Sequence, residues 1–277
     1  MKRTIALLTY ASTISFLLGC DYPTKHYTSM GCIPNGLNPD TGCPLSYNCK
    51  NLSNRQDGIC HLHGKTYNIG EVVPSNETSP FCTIRVNCDR DHGSNSTTFI
   101  YTHIDCEEFF HHREPDCILQ YQPTSCCSTN KVCGENKTQL ATCTIEDQSY
   151  YEGELMQIPD QPCKRCVCSA DFKLAQIDDS KYCYEDECSF EIFDIEKLYG
   201  GAAPVYKNNT CCPWTWRMPN NTDQLEIRSN GLHKYEEKCI YGALTLEIGE
   251  SLKTFNEDDN VISCTCAIPP LVHCRVE

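Results

Sequence analysis

Cys163-Lys-Arg-Cys166-Val-Cys168 places three thiols close together in the chain, and three chemistries can use such a cluster. Zinc binding needs reduced thiolates and a second ligand pair at matched spacing. Thiol redox chemistry needs a free cysteine of lowered pKa. Disulfide formation needs only an oxidising compartment and enough partners. The chain holds 24 cysteines in 277 residues, a density at which bridges replace a large apolar core. The cluster therefore reads as structural disulfide. His61, His63, His111 and His112 lack His-Glu-x-x-His spacing and read as surface histidines. There is no Gly-x-Ser-x-Gly elbow, phosphate loop or Gly-rich dinucleotide turn. The expectation is a non-enzyme with no catalytic residue, no cofactor and no metal.

The cluster belongs to a repeat. Cys143 is followed by Tyr150 and then by Gly153-Glu154. Cys60 is followed at the same offsets by Tyr67 and Gly70-Glu71, and Cys239 by Leu246 and Gly249-Glu250. A frame repeated three times marks an array of small units. Each unit buries too little surface to fold on its core alone, and bridges worth ~2–4 kcal/mol apiece make up the difference.

The elements that must carry these cysteines are short strands and turns. Thr66–Ile69 and Glu71–Val73 read as a hairpin around Gly70, with Thr83–Val86 and Thr97–Ile104 as further strands. The first repeat runs over 60–133 with Cys60, Cys82, Cys88, Cys106, Cys117, the neighbouring pair Cys126-Cys127, and Cys133. The second runs over 143–212 with Cys143, Cys163, Cys166, Cys168, Cys183, Cys188, Cys211 and Cys212. Each neighbouring pair is expected to draw two different segments to one point. Arg85 or Val86 stands where Cys166 would fall, so each repeat reads as short of about one bridge. Residues 213–238 read as a polar linker, and 239–277 as a half unit with Cys239, Cys264, Cys266 and Cys274. Residues 21–59, with Cys32, Cys43 and Cys49 among turn residues, read as a small Cys-rich N-terminal segment. The fold class is small, disulfide-rich and mainly β, with little helix.

Residues 1–20 read as a signal peptide: Lys2-Arg3 heads an apolar stretch, Ile5–Leu18, too short for a membrane span. No later stretch is long and apolar enough to cross a bilayer. Cleavage after Gly19 leaves an even cysteine count and cleavage after Cys20 an odd one; the sequence leaves both open. Leu17-Leu18-Gly19-Cys20 also resembles a bacterial lipoprotein box, but the sequons at Asn51, Asn76, Asn95, Asn136, Asn208 and Asn220 favour a glycosylated secreted protein. The net charge of −14 disfavours nucleic acid, anionic lipid and heparan sulfate and suits a basic protein partner.

The order of a leading cysteine, an aromatic, Gly-Glu, Cys-x-x-Cys-x-Cys, two spaced cysteines and a Cys-Cys pair resembles the von Willebrand factor type C module. The second repeat is the close match. The first is similar to shorter arthropod forms, and the third matches only the N-terminal half. The resemblance implies modules with an N-terminal subdomain of short antiparallel strands and a C-terminal subdomain held by bridges. It also implies the business of tandem-module proteins of the chordin, kielin and crossveinless type, which bind bone morphogenetic proteins. The expected function is thus a secreted binder of an extracellular protein, above all a growth factor of the transforming growth factor β class. The alternatives are a structural or effector protein (matrix, venom or saliva, immune-induced) and a protease inhibitor using Arg55.

Bulky groups on a rigid frame make interface anchors. Phe109-Phe110 and Tyr150-Tyr151 are candidates, although Tyr67 and Tyr150, placed by the repeat, read better as core. Trp214 and Trp216 read equally as core or interface. The acidic runs at 184–187 and 257–259 read as solvated loops, without the central glycine of a calcium loop.

Overall fold

The computed structural model describes residues 20–277 except 40, 54–57, 79–81, 92, 94–95, 111–113, 124, 227–235 and 258. Most of the expected signal peptide, with Arg55, Asn95, His111, His112, Asp258 and Asn230-Gly231, lies outside the described residues, as does the side chain of Asn51. The chain is mainly β, with 41% strand and 12% helix. Its 24 cysteines pair in 12 bridges and none is free.

The N-terminal segment comprises helix α1 (Lys25–Ser29), the hairpin β1 (Ile33–Leu37) and β2 (Pro44–Asn48), and α2 (Lys50–Ser53). Cys20–Cys43 and Cys32–Cys49 close it. Cys20 is thus part of the folded protein.

The repeat frame has a direct geometric cause. In β3 (Ile59–Leu62) and β4 (Lys65–Asn68), a two-residue turn sets Cys60 opposite Tyr67. The hairpins β9 (Thr142–Ile145) with β10 (Gln148–Tyr151) and β17 (Lys238–Tyr241) with β18 (Leu244–Glu247) set Cys143 opposite Tyr150 and Cys239 opposite Leu246. The seven-residue offset is therefore a cross-strand pair. The following glycines, Gly70, Gly153 and Gly249, have φ of 88°, 91° and 93°, which side chains rarely adopt. Their N–H groups donate at 2.8 Å to the carbonyls of Cys88, Cys168 and Cys266. Those cysteines are the bridge partners of Cys60, Cys143 and Cys239. The glutamate carboxylates accept the backbone N–H three residues earlier: Glu71 from Asn68, Glu154 from Tyr151 and Glu250 from Glu247. Gly70 thus belongs to a turn after the hairpin, whose own turn is His63-Gly64. The expected hairpin around Gly70 is displaced by one turn, because the tight loop falls where two residues of positive φ adjoin.

In the first repeat, β5 (Thr83–Arg90) pairs with β6 (Thr97–His103), and β7 (Cys117–Gln120) with β8 (Asn130–Cys133). In the second, β11 (Leu155–Gln157), β12 (Lys164–Val167) and β13 (Cys183–Glu185) form a sheet. The neighbouring cysteines do draw distinct segments together. Cys126 and Cys127 reach Cys82 and Cys106, while Cys211 and Cys212 reach Cys163 and Cys188. Cys106 therefore corresponds to Cys188. The remaining bridges differ: Cys117–Cys133 in the first repeat, Cys166–Cys183 in the second, and Cys264–Cys274 in the third. Val86, fully buried, takes the place of Cys166.

Residues 213–238 are more than a linker. After α3 (Phe190–Phe193) and α4 (Ile195–Tyr199), β14 (Ala203–Tyr206), β15 (Thr215–Arg217) and β16 (Leu225–Glu226) enter one six-stranded sheet with β19 (Ser251–Glu257), β20 (Asn260–Thr265) and β21 (His273–Val276). Its order is β15-β14-β21-β20-β19-β16. Arg217, on β15, pairs with Asp223, donates to the Tyr241 hydroxyl and lies 3.7 Å from the Phe255 ring centre. The half unit is completed by strands from its neighbour.

Candidate functional site

The two tryptophans part company. Trp216 is 4% exposed and packs at 5.0 Å on Phe190, inside a core shared by the N-terminal segment and the second repeat. Trp214 is 41% exposed, with the Lys207 ammonium 3.7 Å from its ring centre. The strand boundary accounts for the split: Trp216 lies within β15, whereas Trp214 precedes it in the bend that follows Cys211-Cys212. Phe109 and Phe110 are 68% and 71% exposed. Tyr67 is buried; its hydroxyl donates to Glu77 at 2.7 Å, and burial followed by that carboxylate pushes its pKa up to about 12. Tyr150 and Tyr151 are half-buried.

An apolar groove of about 790 Å³ lies where the N-terminal segment meets the second and third repeats. Ile33, Tyr47, Leu198, Tyr199, Ile240 and Leu271 line it. Asn76, Asn136, Asn208 and Asn220 are all exposed, as glycan acceptors must be. Lys25 pairs with Glu185 and Glu187 from one of the acidic runs, so that loop is an ion-paired one.

Cys163, Cys166 and Cys168 go to three separate partners, so their sulfurs hold three chain segments. The histidine expectation needs correction. His61 is buried and His63 half-buried, because the tight turn of the first repeat is packed beneath α3. Two further histidines, absent from the expected set, occupy the interior. His26 on α1 and His273 on β21 are 0% and 3% exposed, with ring centres 5.0 Å apart. Tyr206 hydroxyl lies 2.9 Å from His26 Nδ1, while His26 Nε2 has no hydrogen-bond partner and the Leu271 carbonyl is the polar group facing His273. Burial, then His273, holds His26 well below the usual imidazole range. Burial, then the Arg275 charge, brings His273 down to about 3. Nothing in their spacing, 247 residues apart by number, signals this contact.

Among the described residues no helix is long and apolar enough to cross a membrane, and the bridges fit an extracellular protein. Compared with protein-family models, curated proteins and solved structures, the chain matches none of them.

Proposed function

We propose that this is a secreted, glycosylated, non-enzymatic protein that binds another extracellular protein, with a transforming growth factor β-class ligand as the leading partner. The observation that carries this reading is the threefold hairpin clamp: Cys60–Cys88, Cys143–Cys168 and Cys239–Cys266 each join a hairpin to the strand beyond Gly-Glu. The clamp recurs at the three positions where the sequence resembles von Willebrand type C modules. Exposed anchors on that frame, Trp214, Phe109 and Phe110, supply separated weak contacts that act in series. The acidic surface suits a basic ligand.

The test is capture of a panel of basic dimeric growth factors by the immobilised full chain. Saturable, stoichiometric capture weakened at least about tenfold by Trp214→Ala or Phe109→Ala/Phe110→Ala supports the reading. No capture across the panel overturns the growth-factor assignment. The structural alternative has lost one route to self-association, because every cysteine is paired within the chain.

A further inference from the structure

No disulfide joins the four disulfide-closed parts to one another. Both bridges of the N-terminal segment lie within residues 20–49, and those of the repeats lie within 60–133, 143–212 and 239–274. The segment is instead held by contacts around α1. The Tyr27 hydroxyl donates to Ile268 O at 2.7 Å and accepts from Leu271 N at 2.9 Å. Tyr47 N–H donates to Pro269 O at 2.8 Å, and the Tyr27 and Tyr47 rings stack at 4.3 Å. At the centre of this joint lie the two imidazoles.

We propose that His26 and His273 form an acid-operated latch that holds the N-terminal segment against β14 and β21 and lets it go as the pH falls. The cluster is built for the neutral rings. His26 Nε2 meets no partner, and His273 has only the Leu271 carbonyl to set against burial and Arg275, so a proton added to either would leave a buried cation without a counter-charge. The groups facing the pair come from every element around it. Tyr22 and Tyr27 come from the N-terminal segment, with Tyr47 from β2 behind Tyr27. Tyr206 faces it from β14, Trp216 from β15 and Arg275 from β21. The Arg275 guanidinium lies over Tyr22 at 4.6 Å and donates to the Asp21 carbonyl. Among the described residues no carboxylate bonds to either imidazole. Lys25, on the same helix, pairs with Glu185 and Glu187.

The sign follows from the lowered pKa values. Released histidines take up protons below about pH 6.5, whereas the docked ones resist, so docking is fully present above that value and weakens as acid is added. Each proton multiplies the opening equilibrium about tenfold per pH unit well below 6.5, and two protons about a hundredfold. Opening would uncover Tyr27, Met30, Phe190, Trp216 and Ile268, an apolar face now shared between the parts.

The test is hydrogen exchange on the intact, glycosylated, non-reduced chain from neutral pH to about pH 5, corrected for intrinsic rates. Residues 22–31 and 268–276 should lose protection with a slope near two protons, while β5 and β6 keep theirs. His273→Phe retains an aromatic contact with Tyr22 and should cut the slope to about one proton, from a hundredfold to a tenfold per unit. Unchanged acid sensitivity in that variant overturns the proposal. So does a wild-type chain that keeps its protection or loses it uniformly, and that measurement decides the matter even if the variant fails to fold.

Discussion

The carboxylate of Glu191 accepts the backbone N–H of His63 at 2.7 Å, with Glu191 only 1% exposed. Glu191 belongs to α3 of the second repeat and His63 to the tight turn of the first. The His63 ring in turn places Nδ1 2.8 Å from Ser29 O of the N-terminal segment. Three disulfide-closed parts therefore meet at one turn. Around it α3 sends Ile192 into the core of the first repeat, Phe190 into the core of the N-terminal segment, and Phe193 against Tyr101 and His103. The modules are thus a packed assembly rather than beads on a string.

Glu191→Ala should weaken that joint by about 1–3 kcal/mol, because it removes a charged acceptor and leaves the His63 N–H unsatisfied. Hydrogen exchange at residues 62–66, with denaturant unfolding under non-reducing conditions, reads the effect. Glu191→Gln, which keeps an acceptor, should cost less; equal loss in both variants would count against the hydrogen bond.

Gly31→Ala should disturb the same junction from the other side. A Cβ at Gly31 would sit 2.5 Å from Gly64 Cα and 2.8 Å from Gly64 N, and the residue has φ +70°. Backbone cannot move aside cheaply, so the N-terminal segment should undock while its own bridges stay closed. Increased protease sensitivity of residues 22–49 without loss of the first repeat's protection is the expected result.

Trp216→Ala should cost about 3–5 kcal/mol, as a buried aromatic between the parts, and should be seen as a fall in unfolding midpoint. Trp214→Ala should change stability by less than about 1 kcal/mol, since only the ring contact with Lys207 is lost. Any loss of ligand capture in that variant then belongs to the surface.

Alkali should reveal the buried tyrosines. Tyr67 ionises only near pH about 12, and burial also raises Tyr27, Tyr206 and Tyr241. The unfolded chain releases these protons from about pH 10, so their contribution to stability is intact below that and lost as pH rises beyond it. Tyrosinate absorbance should therefore rise in two stages, exposed rings first and these four together with unfolding. A single smooth titration of all the tyrosines would contradict their burial.

The mature chain should show no alkylatable thiol and should retain Cys20, because Cys20 is bonded to Cys43. Intact mass before and after alkylation without reductant checks both. A chain beginning at Asp21 would strand Cys43 and is the contrary result.

Local spacing made the hairpin clamps legible. A cysteine, its partner seven residues on and Gly-Glu are all set by one tight turn and one positive-φ glycine, so the pattern survives in the linear chain. The abundance of cysteine and the short β-branched runs likewise determined a disulfide-rich β class by themselves. What the linear chain does not carry is which part rests on which. The core positions of Trp216 and the exposure of Trp214, the burial of His61, the role of α3 and the contact of His26 with His273 depend on packing between separately bridged units. The same holds for residues 213–238, whose polar composition hides four buried or half-buried strand residues, Thr215, Trp216, Arg217 and Leu225, that complete a neighbour's sheet. Such contacts join residues far apart in the chain through shape and desolvation, which leave no periodic mark in the sequence, and so only the tertiary structure decided them.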